Sequence, residues 1–94
     1  MIINVTTMCQ CYDDISHETI DYVVNGNSLV DCIKQILQKD DPNYSEDDWE
    51  FTLDLINSGK WYGGEWKKVN DNCIKWTDCE TTILYKIVQV VDIP

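Results

Sequence analysis

The spacing of apolar side chains changes twice along this 94-residue chain, and each change marks a boundary between element types. In residues 2–11, Ile3, Val5, Cys9 and Cys11 alternate on one face, the period of two that predicts a strand. Asp13, Asp14, Ser16 and His17 read as a polar turn. Residues 19–24 then give a second β-branched run, with Ile20, Tyr22 and Val24 alternating, closed by the turn pair Asn25-Gly26.

The period now lengthens. Ser28, with Asp31 three residues on, resembles a capping box, and Leu29, Ile33, Ile36 and Leu37 recur at helical spacing, widened by Val30 and Cys32. That helix is predicted to stop before Asp41-Pro42, because the residue before proline disfavours the α region. Ser45 and Asp48 announce a second helix. Trp49, Leu53 and Ile56 form its apolar stripe, Phe51 and Leu55 add a flank, and Asn57-Ser58-Gly59 supplies a C-cap.

The final third returns to strand-like patterning. Residues 66–69 and 73–77 flank Asn70-Asp71-Asn72, the picture of a hairpin with a three-residue loop. A polar turn over residues 78–80 leads into residues 81–91. There Ile83, Tyr85, Ile87 and Val91 share one face while Leu84, Val88 and Val90 occupy the other, so this strand is expected to be central and covered on both sides. The order reads β-β-α-α-β-β-β: an α+β domain spanning residues 1–94, with two helices on one face of a mainly antiparallel sheet.

Charge alters this otherwise ordinary picture. Seventeen Asp and Glu stand against seven Lys, without a single Arg, for a formal net charge of -10. Direct nucleic-acid binding by bulk electrostatics is excluded, since phosphate binding needs Lys and Arg to release counterions. No apolar run is long enough to span a bilayer, so no membrane partner is expected. Residues 1–10 contain no basic residue and no long apolar core. No secretory signal is therefore expected, and the expected compartment is the cytoplasm.

Five cysteines, Cys9, Cys11, Cys32, Cys73 and Cys79, are an odd set that suits reduced thiols in a cytosol. The favoured reading is free thiols acting as small hydrophobes. The alternative is a zinc site of Cys9, Cys11, Cys73 and Cys79 joining neighbouring terminal strands, although Cys-x-Cys and Cys-x5-Cys are not the usual zinc-knuckle spacings. A catalytic thiol would need a basic partner, and the one histidine, His17, lies in a polar stretch. No cofactor is expected.

Divided along the chain, the charge is local. Residues 13–59 hold twelve acids and two lysines, whereas residues 60–94 hold five of each and residues 1–12 none. The peak lies at residues 40–50, with six acids in eleven positions. Such crowding repels itself, and solubility needs a magnitude of only about 2–8. Helix capping and a solvated face are the bland explanation, because Glu46, Asp47, Asp48 and Glu50 fall at a helix N-terminus. The sharper reading is a carboxylate surface that imitates a nucleic-acid backbone and enters a basic groove of another protein. Asp40, Asp41, Glu46, Asp47, Asp48, Glu50 and Asp54 are its candidates, extended by Asp13, Asp14, Glu18 and Asp21, with Tyr44 and Trp49 as contact anchors. For Trp49, on the apolar side of its helix, packing is the favoured role.

Other chemistry is poorly supported. Asp41-x-Asn43-x-Ser45 begins like a calcium loop, but Glu46 stands where the turn glycine belongs and Thr52 where the bidentate Glu belongs. Lys60-Trp61-Tyr62-Gly63-Gly64-Glu65-Trp66-Lys67-Lys68, with Lys75-Trp76 nearby, interleaves aromatics and lysines. Trp61, Trp66 and Trp76 covering the sheet, with lysine stems around them, is the favoured reading there. No nucleophile, phosphate-loop or metalloprotease motif is present, so no enzyme is expected.

Absent Ala and Arg, with abundant Ile, Asp and Asn, suggest an AT-rich genome. In size, acidity, composition and α+β pattern the chain resembles the small acidic anti-defence proteins of phages, notably anti-CRISPR inhibitors. The resemblance is one of class and transfers no residue roles. It implies a non-enzymatic inhibitor acting in the host cytoplasm, whose partner is a basic nucleic-acid-binding protein such as a Cas effector. An acidic regulatory or antitoxin-like module, and a zinc-stabilised structural domain, are the rival readings. A homodimer is a further expectation.

Overall fold

The computed structural model of the chain describes residues 1–11 and 13–90, Cys11 by its backbone alone. The elements are β1 (Ile2–Cys11), β2 (Asp14–Val23), α1 (Leu29–Asp40), α2 (Glu46–Ser58), β3 (Glu65–Asn70), β4 (Cys73–Thr77) and β5 (Thr81–Gln89). The strands form one antiparallel sheet in the order β2-β1-β5-β4-β3. This is the predicted α+β order.

Register decides which side of the sheet meets the helices. Ile3 lies opposite Tyr22 and Ile87, Val5 opposite Ile20 and Tyr85, and Tyr85 opposite Ile74. Directly opposed residues point to the same face. That face joins α1 and α2 in a single core: Ile3, Ile74, Tyr85 and Trp66 from the sheet, Leu29, Cys32, Ile33 and Ile36 from α1, and Trp49 and Ile56 from α2. Trp66 stacks on Tyr85 with ring centroids 5.8 Å apart. The other face presents Asn4, Thr6, Thr19 and Asp21, tied by hydrogen bonds from Asn4 Nδ2 to Thr19 and to Asp21, each 2.8 Å.

β5 is therefore central, as expected, but it is covered on one side only. Leu84, the mid-strand apolar residue on its second face, is half-buried, and Val88 and Val90 are exposed. Two apolar faces on a strand satisfy a sandwich or a two-layer sheet equally well; here only one layer of helices is available. Val91, the last position of the predicted strand, lies outside the described residues.

Two turns also differ from expectation. The polar residues 14–17 are strand, because β1 continues to Cys11 and pairs Met8 with His17 and Cys11 with Asp14. Cross-strand pairing outweighs composition where neither face is buried. In the β3–β4 hairpin Asn70 pairs with Cys73, leaving a two-residue loop, and the register shift between Lys68 and Asn70 places a bulge at Val69. Asn70 Oδ1 accepts from the Asn72 amide at 2.8 Å and holds the turn.

Helix boundaries follow the local chemistry. Ser45 and Asp48 form a reciprocal capping box at the start of α2, whereas Ser28 accepts from the Asp31 amide without a return bond, half of the predicted box. α1 ends at Asp40, and Asp41 is extended (φ -130) as its proline neighbour requires. α2 ends on Gly59 in the left-handed region (φ 68), its amide donating to the Leu55 carbonyl at 2.9 Å.

One glycine is required for packing. A Cβ on Gly64 would stand 2.5 Å from the Trp76 indole, whose ring lies against the glycine backbone. Gly64→Ala is thus expected to lower the unfolding free energy by about 1–3 kcal/mol, the cost of forcing an extra carbon into a filled site. Urea denaturation followed by tryptophan fluorescence measures it. An unchanged midpoint would mean that the indole moves aside freely.

Candidate functional site

The acidic stretch lies where α1 hands over to α2, and the structure divides its carboxylates into two groups. The first group has local duties. The Tyr22 hydroxyl donates to Asp40 at 3.1 Å, fastening the end of α1 to β2. Asp41 accepts from the Asn43 amide at 3.0 Å in the turn between the helices. Asp48 closes the capping box by accepting from the Ser45 amide at 3.0 Å. Glu46 bridges the helices: Lys34 Nζ lies 2.7 Å from one carboxylate oxygen and Gln38 donates to the other at 3.2 Å. The hydrogen bonds from Lys34 and Gln38 hold the Glu46 carboxyl below its ordinary value of 4.5. Glu46 is exposed and Lys34 half-buried, so water screens the pair and it contributes little to stability.

The second group is Asp47, Glu50 and Asp54. All three are exposed, and among the described residues none makes a hydrogen bond or ion pair. Their spacing of three and four residues stacks them along one stripe of α2, successive groups about one 5.4 Å turn apart. The buried Trp49 and Ile56 occupy the opposite side of the same helix. Folding therefore fixes these carboxylates in a row facing water.

Aromatic side chains flank that row. Phe51, predicted to widen the apolar stripe, instead sits between Glu50 and Asp54 on the outer face, 50% exposed. Its ring meets Tyr62 edge-to-face at 5.0 Å and 82°. Trp61 and Tyr62 are 61% and 67% exposed. Trp66 is buried and Trp76 packs against the core as expected, but Trp61 stands outside the core, largely exposed. Exposed neighbouring aromatics are the residue types that anchor protein interfaces.

The remaining candidates lie elsewhere. Tyr44 is half-buried against the core, its hydroxyl engaged with Thr52 and the Asp48 carbonyl, and burial pushes its phenol above the ordinary value of 10.0. Trp49 is core, so neither ring stands on the ridge. Asp13 and Asp14 sit at the far end of the β1–β2 hairpin. The stretch from Tyr22, which binds Asp40, to Asp14 spans about 26 Å at about 3.3 Å per residue. Glu18 and Asp21 lie along β2 between these points, on opposite faces. The acids thus form two groups, a helical ridge and a strand edge.

The four-cysteine alternative is not assembled. Cys73 lies on the open face opposite Lys86, in line with Asn4, whereas Cys9 lies on the helix side opposite Thr81 and accepts from its hydroxyl at 3.7 Å. Five positions of β1, about 16 Å, separate the two levels. Among the described residues no group of three or more His, Cys, Asp or Glu is placed to hold a metal; the Cys11 side chain lies outside them. Cys32 is buried in the core, where burial raises its thiol above 9.0.

The ridge was present in the sequence as Asp47-x-x-Glu50-Phe51-x-x-Asp54, an i, i+3, i+4, i+7 stripe facing away from Trp49 and Ile56. Phe51, read from its apolar character as a flank of the buried stripe, lies by its angular position on the outer face. Tyr62 lies in a loop, where no periodicity could place it. No family model matches the chain, and neither the curated proteins nor the solved structures contain a match to it. No helix of the described residues is long and apolar enough to cross a membrane.

Proposed function

We infer that the protein is a non-enzymatic inhibitor of the phage anti-defence kind, acting in the host cytoplasm. In this reading the outer ridge of α2 enters a basic groove built for nucleic acid, such as that of a Cas effector, and blocks it. The observation that carries the reading is the row Asp47, Glu50 and Asp54, fixed on a capped helix beside the exposed Phe51–Tyr62 pair and with no internal partner among the described residues. A solvated solubility face would have no use for the aromatic pair. Carboxylates one turn apart supply long-range attraction and orientation, and the rings supply the desolvated contact that gives residence time. Asp40, Asp41, Glu46 and Asp48 hold the ridge in place and add to its field.

Reversing Asp47, Glu50 and Asp54 to lysine tests this. Asp48 is spared because its reversal would break the helix cap. Bait protein captures its target from host lysate at low salt and loses it at high salt, and the purified target is displaced by its own DNA or RNA. The triple variant folds normally by circular dichroism and binds about two orders of magnitude more weakly, because attraction at three positions becomes repulsion. Unchanged affinity of the variant at low salt would sink the reading. A target that binds nucleic acid and inhibitor together would assign the aromatic ridge to a regulatory or antitoxin-like module.

A further inference from the structure

The two edges of the sheet are built differently. β3 is short, carries Lys67 and Lys68, and is broken by the bulge near Val69, the usual protection against unwanted strand pairing. β2 has ten residues, no Pro, Gly or Lys, and pairs with β1 without a register shift. It is exposed almost throughout, including Ile15 at 74% and Val23 at 64%.

The outward-facing backbone groups of β2 follow from one pair. Met1 and Val24 exchange both bonds, Val24 N donating to the Met1 carbonyl at 3.0 Å and the Met1 amine to the Val24 carbonyl at 2.8 Å. In an antiparallel ladder such hydrogen-bonded pairs alternate with pairs whose groups point away. Even-numbered residues of β2 therefore bond to β1, and the N–H and C=O groups of Ile15, His17, Thr19, Asp21 and Val23 point outward, unpaired by any strand among the described residues.

We propose that β2 pairs antiparallel with β2 of a second copy, on a twofold axis through Thr19. Joining outward groups to outward groups restricts the symmetric registers to those centred on a residue. Centres at Glu18 and at Thr19 give the longest overlaps, and the first sets Glu18 directly against its own copy. Centring on Thr19 pairs residues 15–23 of both strands. Thr19 meets Thr19, His17 meets Asp21 of the second copy, Ile15 meets Val23, and Glu18 meets Ile20. The two most exposed apolar residues of the edge, Ile15 and Val23, cover each other, and the chain's one histidine meets a carboxylate twice. These are cross-strand pairs that stabilise sheets. The result is a continuous sheet with five strands from each copy and the helices of both copies on one side, an isologous contact. Both α2 ridges remain free, so the dimer stands or falls independently of the inhibitor reading.

Two chains of charge -10 repel at a distance, so dimerisation strengthens as salt rises, the reverse of the salt dependence expected for the ridge. Sedimentation equilibrium of the whole chain at low and high salt reads this directly. His17→Asp, which sets carboxylate against carboxylate twice, weakens the dimer roughly tenfold or more. Adding Asp21→Lys to His17→Asp restores it, because only the Thr19-centred register brings those positions together. Hydrogen exchange supplies a readout free of mutation: the amides of residues 17, 19 and 21 gain protection with protein concentration. A chain that stays monomeric at high concentration and high salt overturns the proposal. So does a dimer indifferent to His17→Asp, or one that the second substitution fails to restore.

Discussion

Ile33→Ala lowers the free energy of unfolding by about 2–5 kcal/mol. Ile33 lies in the middle of α1 with no exposed surface, among Ile3, Cys32 and Ile36, which are themselves all but inaccessible. Truncation removes three carbons from a site closed by the sheet below and the helix around it. The loss combines the transfer free energy of those carbons with the residual cavity. Small domains are stable by only about 5–15 kcal/mol, so one substitution takes a large share of the total. Urea denaturation followed by far-ultraviolet circular dichroism provides the number. Phe51→Ala on the outer face of α2 is the matched control, expected to cost only about 1 kcal/mol through its edge-to-face contact with Tyr62. If Ile33→Ala cost as little as Phe51→Ala, the assignment of faces to the helices would be wrong.

How far the sequence foretold this fold depended on where each element gets its stability. Both helices carry their own signals: Ser45 with Asp48, Asp41 before Pro42, and Gly59 after the last turn all stand where the structure uses them. These signals are local, so one sequence suffices to read them. The free end of the β1–β2 hairpin lacks such signals. Residues 14–17 look like a turn, and only the continuation of β1 makes them strand. The single-sided burial of β5 depends on how many layers pack, which the alternation of Leu84, Val88 and Val90 cannot reveal.

The candidate site divides along the same line. The position of the acidic excess was legible as charge against residue number. Which carboxylates are already engaged was not, because the partners of Asp40 and Glu46, namely Tyr22, Lys34 and Gln38, are brought near by tertiary packing. Asp48 is different, since its capping role could be read from the spacing to Ser45. What remains after these duties is a shorter row than the sequence suggested, with aromatic neighbours that it did not. The acids of β2 belong to a separate surface.

Above about pH 9 the fold loses stability progressively, and Tyr85 is the principal cause. The Tyr85 ring is buried against Trp66, and burial, reinforced by the nearby Asp40 charge, drives its phenol well above the ordinary value of 10.0. Tyr22, buried in part and donating to Asp40, shifts the same way, as do Tyr44 and the Cys32 thiol. Each group ionises more readily in the unfolded chain than in the fold. Its stabilising contribution is complete below the unfolded value and disappears as pH rises from there towards the folded one. The decline thus starts near 9 with Cys32 and steepens above 10 with the tyrosines. Each unit by which the fold raises such a group costs about 1.36 kcal/mol once the pH has passed both values. Tyr85→Phe removes the largest of these contributions while keeping the ring on Trp66. The variant is expected to show a shallower fall of urea midpoint between pH 9 and 11 than the parent chain, with similar midpoints at pH 7. Parallel curves would show that the Tyr85 hydroxyl reaches water and that alkaline loss arises elsewhere.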